Sequence, residues 1–303
     1  MIEKINMKKQ EKIDKAAAAK PKKINEFLYF ALRNNKLKIG LVIILFFLLL
    51  TIIGPFLTDY ELNAFSAGPL SNPPSPEYWF GTTVFGQDVY TQFVYGLRST
   101  FIVGAIGGGL ATFIGLLIGF TAGYRGGIVD ELLNMLTNIV LVIPAFAILL
   151  IIAAYLDVRG ILMESVLIGL INWTWTARAV RAQTFSLRSR EFIDLARMSG
   201  MKPLRIIFTE IAPNMMSYLL MALILQFGGA VLFAATLDFI GLGPTQGISL
   251  GLMMNYAVLW GALQFGSWWW FVPPGFAIMA IVGSLYIMNV GLDEVFNPKL
   301  REF

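Results

Sequence analysis

The feature that most constrains this chain is a series of apolar runs, each about 20 residues long, beginning with the one at 39–57. Wound into a helix at about 1.5 Å per residue, a run of that length matches the roughly 30 Å hydrocarbon core of a bilayer. Further runs lie at about 100–123, 132–156, 161–180, 215–240 and 270–292. Lipid offers no partner to backbone N–H and C=O groups, so segments that cross it must satisfy themselves as helices. The expected fold class is all-α: a polytopic membrane protein with about six transmembrane helices. Composition agrees. Only 14% of the residues are charged, against roughly 25% in soluble domains, and mean hydropathy is +0.70.

The net charge of +4 could suggest nucleic acid, but its distribution speaks for topology instead. Of 23 Lys and Arg, 11 precede residue 39, seven lie between 178 and 205, and two follow 298. Basic residues clustered beside spans are the positive-inside pattern, which places both termini in the cytoplasm and leaves Arg98 and Arg159 outside. No nucleic acid is expected as a partner. The lysine-rich stretch at 1–26 reads as a solvated cytoplasmic tail. The first apolar run is too long for a signal peptide and has no small-residue cleavage site, so it is a retained anchor, ended by Pro55.

Between the spans, 58–98 is an acidic external segment in which Pro69, Pro73, Pro74 and Pro76 exclude a continuous helix over the first half. Residues 86–97 can form a short interfacial helix. The second run carries Gly107, Ala111, Gly115, Gly119 and Gly123 at a spacing of four, a ridge that lets another helix approach closely. Spacing alone leaves open whether that helix belongs to this chain or to a partner. Pro144 predicts a kink in the third run. The segment 241–269 reads as external and Gly-rich, and Trp268, Trp269 and Trp270 read first as an interfacial belt and second as a ligand platform.

Chemistry-bearing residues are sparse. There is no Cys and no His, which removes the usual nucleophiles, metal ligands and acid–base groups, and no Gly-x4-Gly-Lys-Ser/Thr stretch to hold a nucleotide. The chain is not expected to be an enzyme, to bind a metal or to carry a cofactor. Glu164 and Asp238 are the carboxylates inside predicted spans. Such groups line a cavity or reach for the interface, and for Asp238 a place at a gate and plain interfacial solvation both fit. The most distinctive stretch is 188–214. Arg188, Arg190, Arg197, Lys202 and Arg205 alternate there with Phe192, Ile193, Leu195, Met198, Leu204 and Phe208. Gly200 and Pro203 would divide it into two short helices. Such a surface suits either a groove on a soluble partner or the lipid headgroups, and composition leaves both open.

Residues 191–214 resemble the cytoplasmic EAA loop of ABC importer permeases, with Asp194-Leu195-Ala196 where Glu-Ala-Ala is usual, then Gly200 and Ile211-Ala212-Pro213-Asn214. Over 27–303 the chain resembles the oligopeptide/dipeptide permease family. Asn35-Lys36-Leu37, Trp79-Phe80-Gly81-Thr82, Gly86-x-Asp88-Val89, Tyr95-Gly96-x-Arg98, Ala122-Gly123-Tyr124, Asp238-Phe239-Ile240-Gly241-Leu242-Gly243 and Asn297-Pro298 follow in the family's order. The resemblance implies a permease subunit in the cell membrane that pairs with a homologous permease as a heterodimer. It also implies two cytoplasmic ATP-binding subunits, which supply the hydrolysis, an external substrate-binding protein, and a lipid surround. It assigns the ATPase-coupling role to Glu191, Asp194, Leu195, Ala196, Gly200, Pro203, Ile211 and Pro213. Gly107, Gly115, Gly119 and Gly123 would serve helix packing, and Asp238 and Glu164 a translocation path or gate.

On that basis the chain divides into a tail at 1–38, a first span at 39–57 and an external segment at 58–98. A five-helix core at 99–293 follows, including a coupling loop at 181–214, then a cytoplasmic C-terminus at 294–303. Departures occur where Thr83, Gln87, Ala234 and Asp238 replace the family's usual Asp, Arg, Glu and Ser. Oligopeptides or dipeptides are the first expectation for the cargo and oligosaccharides the second. A stand-alone secondary transporter is the more distant alternative.

Overall fold

The computed structural model describes residues 29–58, 60–62 and 68–296. The lysine run of the tail, Asn297-Pro298 and most of the 294–303 segment lie outside them. Ten helices carry the fold: α1 (Asn35–Ile53), α2 (Val89–Arg125), α3 (Gly127–Val142), α4 (Ala145–Tyr155), α5 (Ile161–Arg188), α6 (Glu191–Met198), α7 (Pro203–Ile206), α8 (Met216–Leu237), α9 (Leu250–Leu259) and α10 (Trp268–Phe296). Among the described residues there is no strand, only an isolated bridge between Thr82 and Asp88. Among the described residues, four segments are long and apolar enough to cross a membrane: Asn35–Leu57, Val89–Arg125, Met216–Leu242 and Trp268–Phe296. The pair α3 and α4, bent by 70°, makes a fifth crossing if taken as one.

The bend has a local cause. Ile143 precedes Pro144, and a residue before proline is pushed out of the helical region; its φ/ψ of −82°/124° is extended. The expected kink is thus a full break. α2 also differs from expectation, starting at Val89 because Asp88 caps it by accepting the Thr91 N–H at 2.8 Å. The short interfacial helix expected at 86–97 is therefore the first part of α2 itself. α5 continues to Arg188, so residues 181–188 are helix and not loop. Within 241–269 sits α9, capped by Ser249, whose hydroxyl accepts the Leu252 N–H at 3.0 Å. Its glycine-rich flanks concealed it.

The run expected at 161–180 does not meet the apolar standard of the other spans, although the 28 residues of α5 extend about 42 Å. The reason is its surroundings. Ser165, Thr176 and Thr184 are wholly buried against neighbouring helices, and Leu162, Val166 and Leu170 form the exposed stripe. A helix enclosed on one side by protein can carry polar side chains there without exposing them to lipid.

The glycine ridge of α2 faces α5 of the same chain. A Cβ at Gly115 would stand 2.5 Å from the Thr176 Cβ, one at Gly119 2.8 Å from the Ala177 carbonyl oxygen, and one at Gly123 2.7 Å from that of Arg181. At Gly107 it would be 3.1 Å from the Ser165 carbonyl oxygen. Gly108, inside a π turn at Gly104–Gly108, lies against the backbone of Phe227 on α8. In lipid, apolar side chains gain little by meeting, so close backbone approach of this kind supplies much of the association.

The tryptophan triplet is mostly internal. Trp270 is buried, Trp269 donates its indole N–H to the Thr82 carbonyl at 3.1 Å, and Trp268 alone is exposed. Thr83 is buried, and its hydroxyl accepts the N–H groups of Phe85 and Gln87 at 3.2 Å each, acceptor work that a carboxylate could equally perform.

Gly115→Ala and Gly123→Ala should each lower stability by about 1–3 kcal/mol through overpacking, read as a lower melting temperature in detergent. Gly109→Ala, where a Cβ meets nothing within 4 Å, should leave it unchanged. Equal effects at all three positions would contradict the close α2–α5 contact.

Candidate functional site

The stretch at 191–214 folds as two short helices seated on one end of the bundle. Glu191 and Asp194 occupy the first turn of α6, where acidic side chains meet the positive end of the helix dipole. Gly200 ends it in a Schellman motif. Its φ is +74°, its N–H donates to the Arg197 carbonyl at 3.0 Å, and the Met201 N–H donates to the Ala196 carbonyl at 3.2 Å. Pro203 then opens α7 at the first helical position, where its missing N–H costs nothing. The chain continues through a π turn at Ile207–Ile211 and a short helix at Ala212–Asn214 that holds Pro213.

This geometry divides the segment into a seat and a free face. Ile193, Ala196, Ile206, Ile207 and Ile211 are buried with Phe120 of α2 and Val180 of α5 in one apolar cluster. This cluster lies beside polar loops, so burial there has its ordinary worth, about 1.5–3 kcal/mol for a fully buried Ile. The opposite face shows Leu195 at 63% exposure, Met198 at 85%, Leu204 at 69% and Phe208 at 65%. Asp194 pairs with Arg197 at 2.9 Å on that exposed side. Of the residues singled out from sequence, Ala196 and Ile211 belong to the seat, whereas Glu191, Asp194, Leu195, Gly200, Pro203 and Pro213 are exposed.

Polar contacts fasten the helices beneath this seat. Arg181 of α5 forms a two-point ion pair with Asp130 of α3, and its Nη2 donates to Asp130 Oδ2 at 2.7 Å. Arg188 Nη1 donates to the Tyr124 carbonyl at 3.0 Å, and the Arg197 guanidinium stands over the Tyr124 ring, 5.6 Å from its centroid. Sequence reading missed the Asp130–Arg181 pair. Its only signal was the acidic pair Asp130-Glu131 just past the Gly126-Gly127 turn.

A second feature lies between the helices. A cavity of about 470 Å³ opens at the α3–α4 break, lined by Ile143, Pro144, Asn172, Thr174, Gln226 and Tyr286 among others. Gln226 of α8 donates to the Asn172 carbonyl at 2.9 Å and the Thr176 hydroxyl at 2.7 Å of α5. Non-helical backbone at membrane depth is tolerated where it lines a cavity or is covered by protein, which is the situation of Ile143 and Pro144. Apart from Pro144, none of these residues was singled out from sequence. Asn172 and Gln226 were legible only as isolated amides within apolar runs.

Glu164 and Asp238 do not line this cavity. They meet each other instead, near the other end of α5, in a closed cluster with Ser99, Thr100 and Ser249.

Residues 115–302 match the family described as the binding-protein-dependent transport system inner membrane component. The chain belongs to that family. It is 36% identical to the dipeptide transport system permease protein DppC of Alkalihalophilus pseudofirmus, over 89% of this chain and 88% of that protein. Identity is 30% to the protein of the same name from Bacillus subtilis, over 89% and 84%. It is 29% to the oligopeptide transport system permease protein OppC of Bacillus subtilis, over 89% and 88%. The family match spans α5, both short helices, α8 and α10, and so covers the seat and the cavity of this permease.

Gly200 supplies a test of the seat. Open space surrounds its missing Cβ, so substitution acts through the backbone: Gly200→Val should strain the left-handed turn by about 1–2 kcal/mol, while Gly200→Asn, which tolerates that region, should strain it far less. Trypsin should cut at Arg197 and Arg205 faster in the valine variant only. Equal rates in both variants would mean that the turn does not hold the segment.

Proposed function

We propose that this permease is the membrane subunit of an ATP-driven importer for dipeptides or oligopeptides. The observation that carries the reading is the two-faced segment at 191–214, fixed to the bundle by Ile193, Ala196 and Ile211 and presenting Leu195, Met198, Leu204 and Phe208 outward. An exposed apolar row among Arg190, Lys202 and Arg205 fits insertion into a groove of a soluble partner. The partners are two cytoplasmic ATP-binding subunits, which supply the hydrolysis this chain has no motif for. Leu195, which stands where the family usually has Ala, lies on the free face. Its effect is to enlarge the surface offered to the partner.

Orientation follows from charge. Arg125, Arg178, Arg181, Arg188, Arg190, Arg197, Lys202 and Arg205 gather at the seat end, and the positive-inside rule makes that end cytoplasmic. With α5 counted as a span on the strength of its length and its lipid-facing stripe, the chain crosses six times and has both termini inside. The cavity at the α3–α4 break is one wall of the translocation path. A homologous permease supplies the other wall, packing on the α3 face that carries Met135, Asn138, Ile139 and Val142. An external binding protein delivers the cargo. Peptides are favoured by the relatives, which are named as dipeptide and oligopeptide transport permeases.

Coupling through the free face is tested by Met198→Asp and Leu204→Asp. Both variants should reach the membrane in normal amounts and lose ATP-dependent peptide uptake in proteoliposomes containing all subunits, because a carboxylate in an apolar groove is costly. Normal uptake by both would remove the coupling role. Uptake by the permease alone, without ATP-binding subunits, would point to a stand-alone transporter.

A further inference from the structure

Glu164 on α5 and Asp238 at the end of α8 line one small cavity with Ser99, Thr100 and Ser249, their carboxyl groups turned to each other. Both are more than nine-tenths buried, Glu164 at 7% exposure and Asp238 at 1%. Each has one oxygen without a hydrogen-bond partner, Oε1 of Glu164 and Oδ1 of Asp238. The remaining contacts are tight. Ser249, which caps α9, donates its hydroxyl to Asp238 Oδ2. A Cβ at Gly243 would stand 2.6 Å from Asp238 Oδ1, and one at Gly251 2.8 Å from the Asp238 Cβ, so two glycines make the room that this side chain fills.

The charged groups nearby do not neutralise the pair. Arg159, in the turn before α5, lines an adjoining cavity with Glu164, but its guanidinium is directed at the carbonyls of Gly243 at 3.0 Å and of Ala153 and Leu156 at 3.2 Å each. Arg98 on α2 and Asp157 before α5 are exposed. α9 and α4 bring no charged residue, only Tyr256 and Tyr155, both exposed. Two buried carboxylates side by side repel each other and lack water to disperse the charge, so both cannot stay ionised without a counter-charge. What the two orphan oxygens lack is a hydrogen, since carboxylate oxygens only accept.

We propose that Glu164 and Asp238 share one proton, and that the resulting carboxylic acid–carboxylate hydrogen bond latches α5 to the ends of α8 and α9. One carboxyl donates its O–H to an oxygen of the other, and a single negative charge remains, held by the Ser249 hydroxyl. At high pH the proton leaves to hydroxide, forming water, and the two carboxylates push α5 and α8 apart. The latch exists while the pair holds one proton: it is lost as pH rises and the second carboxylate forms, and at low pH both carboxyls are protonated and the charge it holds is gone. It acts at the end of α5 opposite the seat of α6, beside the Arg159 contacts that join the same two loops. It does not depend on the identity of the cargo.

The test is infrared spectroscopy on the assembled transporter, with the permease subunit alone labelled by carbon-13 so that its carboxyl signals separate from those of its partners. At neutral pH the labelled chain should show the carbonyl stretch of an undissociated, slowly exchanging carboxylic acid, and raising the pH should abolish it. The double variant Glu164→Gln/Asp238→Asn, whose amides donate at any pH, should lack the band and lose the alkaline fall in melting temperature. No undissociated carboxyl at neutral pH in the native chain would overturn the proposal, as would a band that survives the double substitution. A band that appears only when sodium, potassium or calcium is removed would also overturn it, in favour of a bound cation. The native chain's own titration decides the matter should the double variant fail to assemble, and failure of peptide uptake would leave the spectrum, and so this inference, untouched.

Discussion

The close approach of α2 to α5 is the contact on which the other features depend. A bilayer gives helices little hydrophobic reason to associate, so shape must do the joining, and Gly115, Gly119 and Gly123 let the two backbones come within contact of each other. Over its length α5 then meets three separate features. Glu164 enters the carboxyl cluster near its start, Asn172 and Thr174 line the cavity near its middle, and Val180 and Leu187 support the α6 seat near its end. A displacement of α5 relative to α8 would alter all three together.

Such a helix can transmit force only if its end is held firmly. The Ile193–Ala196 face of α6 is buried against α2 and α5, the Schellman turn at Gly200 fixes the angle to the following segment, and the Asp130–Arg181 and Arg188–Tyr124 contacts bind α3, α2 and α5 to one another. A push on Met198 or Leu204 would therefore reach helices and not a slack loop. Docking on lipid headgroups would need no such stiffness, which weighs for a protein partner.

How much of this could be read from sequence depended on the kind of physics involved. Apolar length revealed the membrane class and most spans, and Gly200 and Pro203 marked the two short helices, because breakers act locally. The spacing of glycines named the ridge, but not its partner, since that is a tertiary fact. α9 and the true start of α2 were missed because an Asp or Ser cap is a single residue within segments dominated by Pro, Gly and aromatics. The cavity residues escaped notice for another reason: Gln226 gains its meaning only where its side chain reaches the Asn172 backbone carbonyl on another helix, 54 residues away. Glu164 and Asp238 were each recognisable as costly, yet their meeting was not.

That meeting also accounts for a departure from the family pattern. Asp238 stands where Ser is usual, and a lone carboxylate introduced into a buried site would be strongly unfavourable. Here the substitution is accommodated by three neighbours at once. Gly243 and Gly251 leave space for the longer side chain, Ser249 gives it a donor, and Glu164 can share its proton. The nearby Ala234, where Glu is common in the family, keeps a third carboxylate away from the cluster, which it lines.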